Sequence, residues 1–476
     1  MTVLAIDQGT SSTKAAVVGD GGELLSLAEV GIGVLAGADG SVELDPEQLW
    51  TSVVEAGSEA LRLAGSPHID AIGLANQGET IVAWNRADGR PSGPAIVWQD
   101  RRSAGVCDRL APHAQRLASI SGLELDPYFV APKMVWLRER LGSEAHGLAI
   151  TTTDSWLLHR LCGAFVTDVA TAGRSLLLDL DSACWSVEAA EIFGLDISAL
   201  PAVVANAVPI GECSVFGTAT VVSGACVDQQ AALFAEGCHA VGQAKCTYGT
   251  GAFLLANTGA TPTRSTNGLV GCPAWQIGDD LTWCLDGQVY TVGAAVSWLI
   301  DMGVITHGSD LDAVGGTVAD AGGVTFVPAL AGLAAPYWEP QARAAFTGMS
   351  LSTTRGHLVR AAIDGIAAQV ALLAAAAGRD LGAPLNRLRV DGGLTRSATL
   401  LQVQADLLQA PVEVYPSPHA TVLGVAQFAA IGAELSHSAA ASTWSPTAVL
   451  EPQISADEAQ DRLDRWQRVA EATRSL

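Results

Sequence analysis

Basic residues are scarce in this chain of 476 residues. Its 26 lysines and arginines are outnumbered by 49 aspartates and glutamates, which leaves a formal net charge of −23 and a pI near 4.6. Such an acidic surface repels nucleic-acid phosphates and anionic membranes, so we expect neither as a partner. A polyanionic ligand would need local backbone N–H groups, a metal ion and a few cationic side chains, because the overall charge does not attract it.

Targeting signals and paired cysteines are also missing. The first residues, MTVLAIDQGTSSTK, do not show the basic segment and long apolar stretch of a signal peptide. The longest apolar run, residues 366–378, is interrupted by Gln369 and is too short to span a bilayer. The nine cysteines form no CxxC pair, which is typical of small buried side chains in a reducing compartment. We therefore expect a cytoplasmic protein.

What is present is a large apolar fraction and a repeated pattern. Hydrophobic residues make up 49% and charged residues 16%, as in a well-buried globular protein, and the length indicates two or three domains. Residues 3–6 and 15–18 predict strands around a polar glycine turn, and residues 244–248 and 253–256 predict the same arrangement in the second half. Residues 45–64 predict a helix that begins at Asp45-Pro46. The polar segment 236–243 separates the halves.

The first glycine turn is suited to phosphate and metal binding. Asp7 ends a strand and offers a metal-binding carboxylate, and the hydroxyls and ammonium group that follow can contact phosphate oxygens; these are Thr10, Ser11, Ser12 and Lys14. An ordinary hairpin turn remains an equal alternative, because Gly, Ser and Thr favour turns in any case.

Two further glycine turns follow buried strands in the second half. Gly249 and Thr250 repeat the first turn, with glycine permitting close backbone approach. Asp391-Gly392-Gly393 leads from a strand towards a helix at 397–408, and a helix N-terminus favours phosphate. A plain strand–helix connection is an equal alternative for this turn.

Asp228 follows the apolar run 221–227 and precedes a predicted helix. A buried carboxylate is costly unless it is paired or coordinated, which favours a functional role for it at the floor of a cleft. The alternative is that Asp228 is only the N-cap of the helix.

Polar and aromatic residues cluster at three places in the first half. The clusters are Gln77-Gly78-Glu79, Trp98 with the polar residues after it, and Tyr128 with Asp126. Carboxylate, amide and phenol groups against an indole wall are suited to a polyol. Each cluster is equally compatible with a surface turn.

These positions, taken in order, resemble the FGGY carbohydrate kinases, and within them the glycerol kinases. The resemblance covers residues 4 to about 433. Its motifs are DQGTSSTK at 7–14, IVWQDRR at 96–102, DPYFVAPKMVWL at 126–137, DQQAALF at 228–234, TYGTGAFLL at 247–255, GAAVSWL at 293–299, GLAAPYWEPQARAAFTG at 332–348 and RVDGGLTRS at 389–397.

The resemblance implies an α/β fold of two actin-like ATPase (ribonuclease H-like) domains around a central cleft. We expect residues 1–238 to bind the polyol or sugar and residues 239–476 to bind ATP, with Mg²⁺ as cofactor. It implies Asp228 as catalytic base, and Asp7 and Asp228 as metal ligands. The implied acceptor contacts are Gln77, Gly78, Glu79, Trp98, Tyr128, Asp228, Gln229 and Phe253. The implied nucleotide contacts are Thr10, Ser11, Ser12, Lys14, Gly249, Thr250, Gly293, Ser297, Gly392, Gly393 and Ser397.

The sequence departs from the glycerol kinases where they carry an arginine that contacts glycerol, between the Gln and Glu of the NQ-x-ET motif. That position is Gly78. Loss of the arginine leaves acceptor hydroxyls unpaired, at about 1–3 kcal/mol per buried polar group, and enlarges the pocket. We therefore expect a four- or five-carbon polyol or ketose, of the erythritol, threitol, xylitol or xylulose type, to be preferred over glycerol.

Smaller departures are Ser297 and Ser397, which stand where the family has glutamine and asparagine. The short segment 211–224 does not contain the insert that some glycerol kinases use for allosteric regulation, and we expect no such regulation. The resemblance also suggests a homodimer or homotetramer. The alternative function is a non-enzymatic protein like actin or the Hsp70-type chaperones, in which ATP drives a conformational cycle.

Overall fold

The strands fall into two similar sets, one in each half of the chain. The computed structural model describes residues 1–435 and 444–474. The first-half strands are β1 (Val3–Gln8), β2 (Ser12–Val18), β3 (Leu24–Gly31), β4 (Val34–Ala36), β5 (Val42–Leu44), β6 (Ala71–Asn76), β7 (Ile81–Asn85), β8 (Ala95–Ile96), β9 (Leu148–Thr152), β10 (Val166–Asp168), β11 (Leu178–Asp179), β12 (Cys184–Trp185), β13 (Ala202–Val204), β14 (Ala207–Cys213) and β15 (Thr220–Val227). The second-half strands are β16 (Ala244–Tyr248), β17 (Ala252–Gly259), β18 (Val270–Ile277), β19 (Asp280–Val289), β20 (Thr325–Val327), β21 (Ala345–Thr347), β22 (Leu388–Asp391), β23 (Val412–Val414) and β24 (Ala448–Leu450).

Helices cover both faces of these strands. Those of the first half are α1 (Pro46–Leu63), α2 (Ala104–Leu110), α3 (Ala114–Ser121), α4 (Val130–Leu141), α5 (Thr153–Cys162), α6 (Val169–Ala172), α7 (Val187–Phe193) and α8 (Asp228–Ala235). Those of the second half are α9 (Gly293–Asp301), α10 (Asp310–Gly315), α11 (Arg355–Leu381), α12 (Ala398–Leu408), α13 (Ala420–Gly432) and α14 (Ala456–Thr473).

A single 13-stranded sheet runs through both halves. In the first half β3, β2 and β1 form an antiparallel meander, and β6 and β15 continue it in parallel. In the second half β19, β17 and β16 form the meander, and β22 and β23 continue it in parallel. The two sets meet where Ala207 of β14 pairs with Ile277 of β18. The predicted α/β fold of two similar halves is confirmed.

The local predictions around the first hairpin and helix are confirmed. Gly9 donates its backbone N–H to Ser12 O at 3.0 Å, which closes the turn between β1 and β2. Asp45 is the N-cap of α1 and accepts from Glu47 N at 2.9 Å, with Pro46 at the first helical position.

Helix α13 belongs to the second half by sequence but packs on the first-half strands β1, β6 and β15. The approach is close because glycine faces the helix: a Cβ on Gly73 would lie 2.6 Å from Val425 O, and one on Gly224 would lie 2.5 Å from Ala429 N. Ser223 Oγ also donates to Ala429 O at 2.7 Å. The two halves are therefore interlocked through this helix.

Helix α11 is long and apolar enough to cross a membrane, by length and composition alone. However, 78% of its apolar window is buried inside the protein, as expected for a core helix. It packs against α12, α10 and β20. All nine cysteines are free, seven of them are buried, and Cys184 is exposed.

Two carboxylates are buried together at the end of β10, of which Asp168 is the last residue. Asp154 Oδ2 accepts from Thr167 Oγ1 at 2.6 Å, and its Oδ1 has no hydrogen-bond partner among the described residues. Asp168 accepts from Thr171 N, Thr171 Oγ1 and Asn206 Nδ2 at 2.6–2.9 Å. Burial, and then the charge of Asp168, raises the pKa of Asp154 to about 7. Because the folded pKa exceeds the unfolded value of 3.8, this group stabilises the fold fully below that value and loses its contribution as pH rises through about 7.

We predict that Asp154→Asn removes this pH dependence while keeping the shape of the side chain. The Tm of the variant should improve relative to wild type as the pH rises from about 5 to 8, because only the wild type must bury the Asp154 charge. Differential scanning fluorimetry across that range measures it, with Asp457→Asn on the exposed start of α14 as control. A Tm difference that is constant with pH would contradict the assignment.

Candidate active site

The parallel strands bring the predicted residues to one edge of the sheet. Asp7 pairs with Ala75 near the carboxyl ends of β1 and β6, and Val227, next to Asp228, pairs with Asn76. In the second half Thr247 pairs with Asp391 at the equivalent ends of β16 and β22. Carboxyl ends of parallel strands are where ligands bind in α/β proteins.

A cavity of about 230 Å³ lies at this edge, between the halves. Fourteen of the predicted residues line it: Thr10, Ser11, Ser12, Lys14, Gln77, Gly78, Glu79, Trp98, Tyr128, Asp228, Gln229, Gly249, Thr250 and Phe253. Unpredicted lining residues include Arg174, Val227, Thr247 and Asp286. The predicted residues Asp7, Gly293, Ser297, Gly392, Gly393 and Ser397 do not line this cavity.

The first turn is joined to the aromatic wall of the cavity. Trp98 Nε1 donates to Thr10 Oγ1 at 2.9 Å, so the Thr10 hydroxyl proton is free to point elsewhere. Gln77 is 1% exposed and donates to Gly9 O at 3.3 Å, which makes it a support for the turn. Ser12 Oγ donates to Glu29 at 2.6 Å, and Lys14 Nζ lies 3.7 Å from the same carboxylate.

The other wall combines an aromatic cluster with a carboxylate held on strained backbone. Trp98 makes edge contacts with Tyr128 and Phe253, with ring centroids 5.8 and 6.0 Å apart. Glu79 has φ of 57°, an uncommon value for a residue with a side chain, and is 4% exposed. Backbone strain of this kind clusters at functional sites, where it fixes a side chain.

Arg174 connects this wall to the second half. Its Nε donates to Glu79 Oε1 at 2.6 Å and its Nη1 lies 2.7 Å from Asp286 Oδ2. Arg174 and Asp286 are each 3% exposed, so the three charges form a buried bridge. Sequence reasoning missed both residues. The available signal was a lone charged residue inside an apolar stretch, because a buried charge needs a partner.

Asp228 is the first residue of α8, and the N-cap position belongs to Val227. The alternative that Asp228 is only the N-cap is therefore wrong. Its Oδ1 accepts from Gln229 N at 2.7 Å. Burial, and then the charges of Asp7 and Glu79, raises the pKa of Asp228 to about 7, while Lys245 lowers it. The carboxyl group thus has a greater proton affinity than an ordinary aspartate.

Asp7 lies close enough to Asp228 for its charge to raise the pKa of Asp228. Burial raises the pKa of Asp7 to about 6, against the lowering effect of Lys14. Two desolvated carboxylates that repel each other form a donor set suited to Mg²⁺. Within residues 1–435 and 444–474 no group of three or more His, Cys, Asp or Glu side chains could hold a metal ion, so phosphate and water would have to complete its coordination.

Lys245 is a second buried cation beside this site. The chain has three lysines, Lys14, Lys133 and Lys245. Lys245 is 0% exposed and donates to Gln229 Oε1 at 2.6 Å and to Thr247 Oγ1 at 2.7 Å. Its charge lowers the pKa of Asp228, Asp286 and Asp391. It therefore orients Gln229 and partly balances the surrounding carboxylates.

Lys133 supports the turn that carries Tyr128 in the aromatic wall of the cavity. It is 0% exposed, and its Nζ donates to the carbonyls of Pro127 at 3.0 Å, Phe129 at 2.8 Å and Tyr128. These bonds hold the turn that presents the Tyr128 ring to the cavity.

The predicted nucleotide residues outside the cavity lie on the second-half side. Gly293 begins α9 and donates to Gly249 O at 3.1 Å, and a Cβ on it would lie 2.5 Å from that oxygen. Gly392 has φ of 96° and packs on Tyr248 O. Ser397 caps α12 and donates to Asp312 Oδ1 at 2.6 Å, while Ser297 and Gly393 are exposed. Their contacts with nucleotide stay predictions.

An α/β fold of two similar halves, with carboxylates, hydroxyls and glycine turns around one cavity, is typical of the class of small-molecule kinases. Two family models match the chain: the N-terminal domain of the FGGY family of carbohydrate kinases over residues 2–235, and its C-terminal domain over residues 244–433. The chain belongs to this family of carbohydrate kinases, phosphotransferases with an alcohol acceptor that use ATP.

Individual relatives agree with this assignment. The chain is 38% identical to a glycerol kinase of Bordetella parapertussis, over 99% of this chain and 97% of the relative. It is 40% identical to one of Dechloromonas aromatica, over 98% and 97%. The structure of Plasmodium falciparum glycerol kinase with ADP superposes with a TM-score of 0.91 at 29% identity, over 99% and 98% of the two chains. A ligand-bound xylulose kinase of Lactobacillus acidophilus shares the fold, with a TM-score of 0.89 at 19% identity, over 99% and 98%.

We predict that Arg174→Met strongly destabilises the protein. The change leaves the buried carboxylates of Glu79 and Asp286 without their guanidinium partner, which costs about 3–5 kcal/mol. Thermal unfolding measures the loss. The matched control is Arg462→Met, which breaks a surface pair between Arg462 and Glu458 and should cost no more than about 1 kcal/mol. Equal losses of thermal stability in the two variants would mean that the buried bridge contributes no more to stability than a surface ion pair.

Proposed function

We propose that the protein transfers the γ-phosphoryl group of ATP to a hydroxyl of a small polyol or sugar, with a four- or five-carbon polyol or ketose preferred over glycerol. The observation that carries the proposal is the shared cavity. Asp228 lines it together with Glu79 and Tyr128, and with the glycine turns that carry Thr10 and Thr250. An ATP-driven conformational protein of the actin type needs no such acceptor residues, and membership of a carbohydrate kinase family removes that alternative.

Asp228 acts as the general base. It lines the cavity at the start of α8, and its raised pKa brings its proton affinity closer to that required of a proton acceptor at neutral pH. It accepts the proton of the acceptor hydroxyl as the oxygen attacks the γ-phosphorus. Lys245 donates a hydrogen bond to Gln229, the residue after Asp228, and so helps to hold this part of α8 in place.

The two glycine turns hold the phosphates. Thr10 keeps its hydroxyl proton available because its oxygen already accepts from Trp98. Gly249 and Gly251 let backbone approach closely, and Lys14 adds positive charge. Asp7 and Asp228 would hold Mg²⁺, which when bound neutralises charge on the transferring phosphoryl group. Positioning and charge neutralisation of this kind supply most of the catalysis in phosphoryl transfer.

The acceptor lies between the aromatic wall and the buried bridge. Trp98 and Phe253 pack on its carbon skeleton, and Glu79 and Tyr128 pair with its hydroxyls. Arg174 also lines the cavity, and its Nη2 is available for a hydroxyl because the carboxylates occupy Nε and Nη1. Arg174 thus supplies a guanidinium to the cavity, but from a different place than position 78, where the glycerol kinases carry their arginine.

We predict that Asp228→Asn lowers kcat by about 10²–10⁴-fold, because the amide cannot accept the proton. ADP affinity, measured by isothermal titration calorimetry, should change much less. A coupled assay of ADP release in the presence of acceptor measures kcat, with Asp457→Asn as control for charge loss. If the variant keeps full acceptor-dependent activity, Asp228 is not the base.

We predict that a screen of three- to five-carbon polyols and ketoses finds a higher kcat/KM for a four- or five-carbon acceptor than for glycerol. The reason is the missing side chain at Gly78, which leaves room and removes donors for a short triol. ADP release with erythritol, threitol, xylitol, the pentuloses and glycerol measures it. Much faster turnover of glycerol would contradict the proposed acceptor class, while leaving the kinase reaction intact.

A further inference from the structure

Gly78 lies in the cavity wall although its backbone does not require glycine. Its φ lies outside the left-handed region that favours glycine. A Cβ placed on it would lie 3.0 Å from Val227 Cγ2, and no other atom of the described chain beyond its direct neighbours lies within 4 Å. A single methyl group therefore limits which side chain fits at position 78.

Val227 is held firmly in this place. It ends β15, pairs with Asn76 of β6, and is followed directly by Asp228. It is 2% exposed and lines the same cavity as Gly78. Because a β-branched side chain has few χ1 rotamers, the methyl group cannot easily turn away.

We propose that Val227 determines acceptor specificity together with Gly78, an inference that rests on the proposed function. The Val227 methyl group occupies the start of the path that a side chain at position 78 would take. It gives the cavity an apolar wall next to the base. The acceptor packs a C–H face of its carbon chain against this wall, and its hydroxyls bind the polar residues Glu79, Arg174 and Asp228.

This wall favours a particular acceptor class. A hydroxyl directed at Val227 would be buried without a hydrogen-bond partner, which disfavours such an acceptor by about 10²-fold. The glycine at position 78 also leaves free the volume that an arginine side chain would fill. The cavity is therefore longer than it would be with arginine at this position. The acceptor is therefore a linear four- or five-carbon polyol or ketose that presents carbon–hydrogen surface beside the phosphorylated carbon.

A double-mutant cycle tests the pairing of the two positions. The variants are Gly78→Arg, Val227→Ala and the double variant, assayed with glycerol and with the best four- or five-carbon acceptor. Gly78→Arg alone should lower kcat/KM for every acceptor, because its Cβ meets Val227. The double variant should recover glycerol phosphorylation by about tenfold or more over Gly78→Arg. Val227→Ala alone should raise the KM for the longer acceptor and leave the KM for ATP unchanged.

The outcomes separate the two claims. If the wild type phosphorylates no polyol or ketose, the proposed function fails, and this inference fails with it. If the wild type is active, but the fold-changes in kcat/KM of the two single variants multiply to give that of the double variant for every acceptor, only the pairing of Gly78 and Val227 is overturned. If Gly78→Arg does not fold by thermal melting, the milder cycle of Gly78→Ala and Val227→Ala decides in the same way. The Cβ of the alanine at position 78 meets the same Val227 methyl group, and Val227→Ala should relieve the loss of kcat/KM that this contact causes.

Discussion

The site depends on the guanidinium of Arg174, which is buried between Glu79 of the first half and Asp286 of the second. Three desolvated charges are tolerated only when they are paired, so the bridge fixes the position of each member. It holds Glu79 in spite of its φ of 57°, and the Arg174 guanidinium also lies 5.8 Å from the centre of the Tyr128 ring. The aromatic wall of the cavity is therefore preorganised by an ion pair that also joins the two halves of the chain.

A shortage of cations shapes the electrostatics around this bridge. Carboxylates outnumber the basic groups at the cavity. Burial is the largest cause that raises the pKa of Asp7 and Asp228, and repulsion from nearby carboxylates raises both pKa values further. This repulsion also makes a divalent cation favourable beside Asp228. The positive charge of Lys245, which is hydrogen-bonded to Gln229 and Thr247, partly offsets the repulsion between these carboxylates. The acidity of the whole chain is thus compatible with ATP, because a few fixed groups and a metal ion carry the attraction.

Much of the fold could be predicted from local patterns. The β1–β2 hairpin, the Asp45 cap of α1 and the strands around Gly249 each follow from residues adjacent in sequence. The repeated hairpin also predicted two similar halves. By contrast, the packing of α13 on the first-half strands depends on Gly73 and Gly224, whose neighbour is remote in sequence.

The site was predictable to the extent that turns and strand ends carry it. Arg174 and Asp286 were missed because their partners lie in other segments, and only tertiary structure shows the bridge. Val227 was missed because a valine in an apolar strand carries no functional signal of its own. Other predicted ligands have competing partners that no motif reveals: Ser397 caps a helix and binds Asp312, and Ser12 binds Glu29.

We propose that one acceptor hydroxyl binds at Asp228, in line with the phosphate held by the two turns. A crystal structure with a non-hydrolysable ATP analogue, Mg²⁺ and a four- or five-carbon polyol would show this directly. We expect one hydroxyl about 2.6–3.2 Å from an Asp228 carboxylate oxygen, with the carbon chain against Val227 and Trp98. A polyol that binds with no hydroxyl near Asp228 would contradict it.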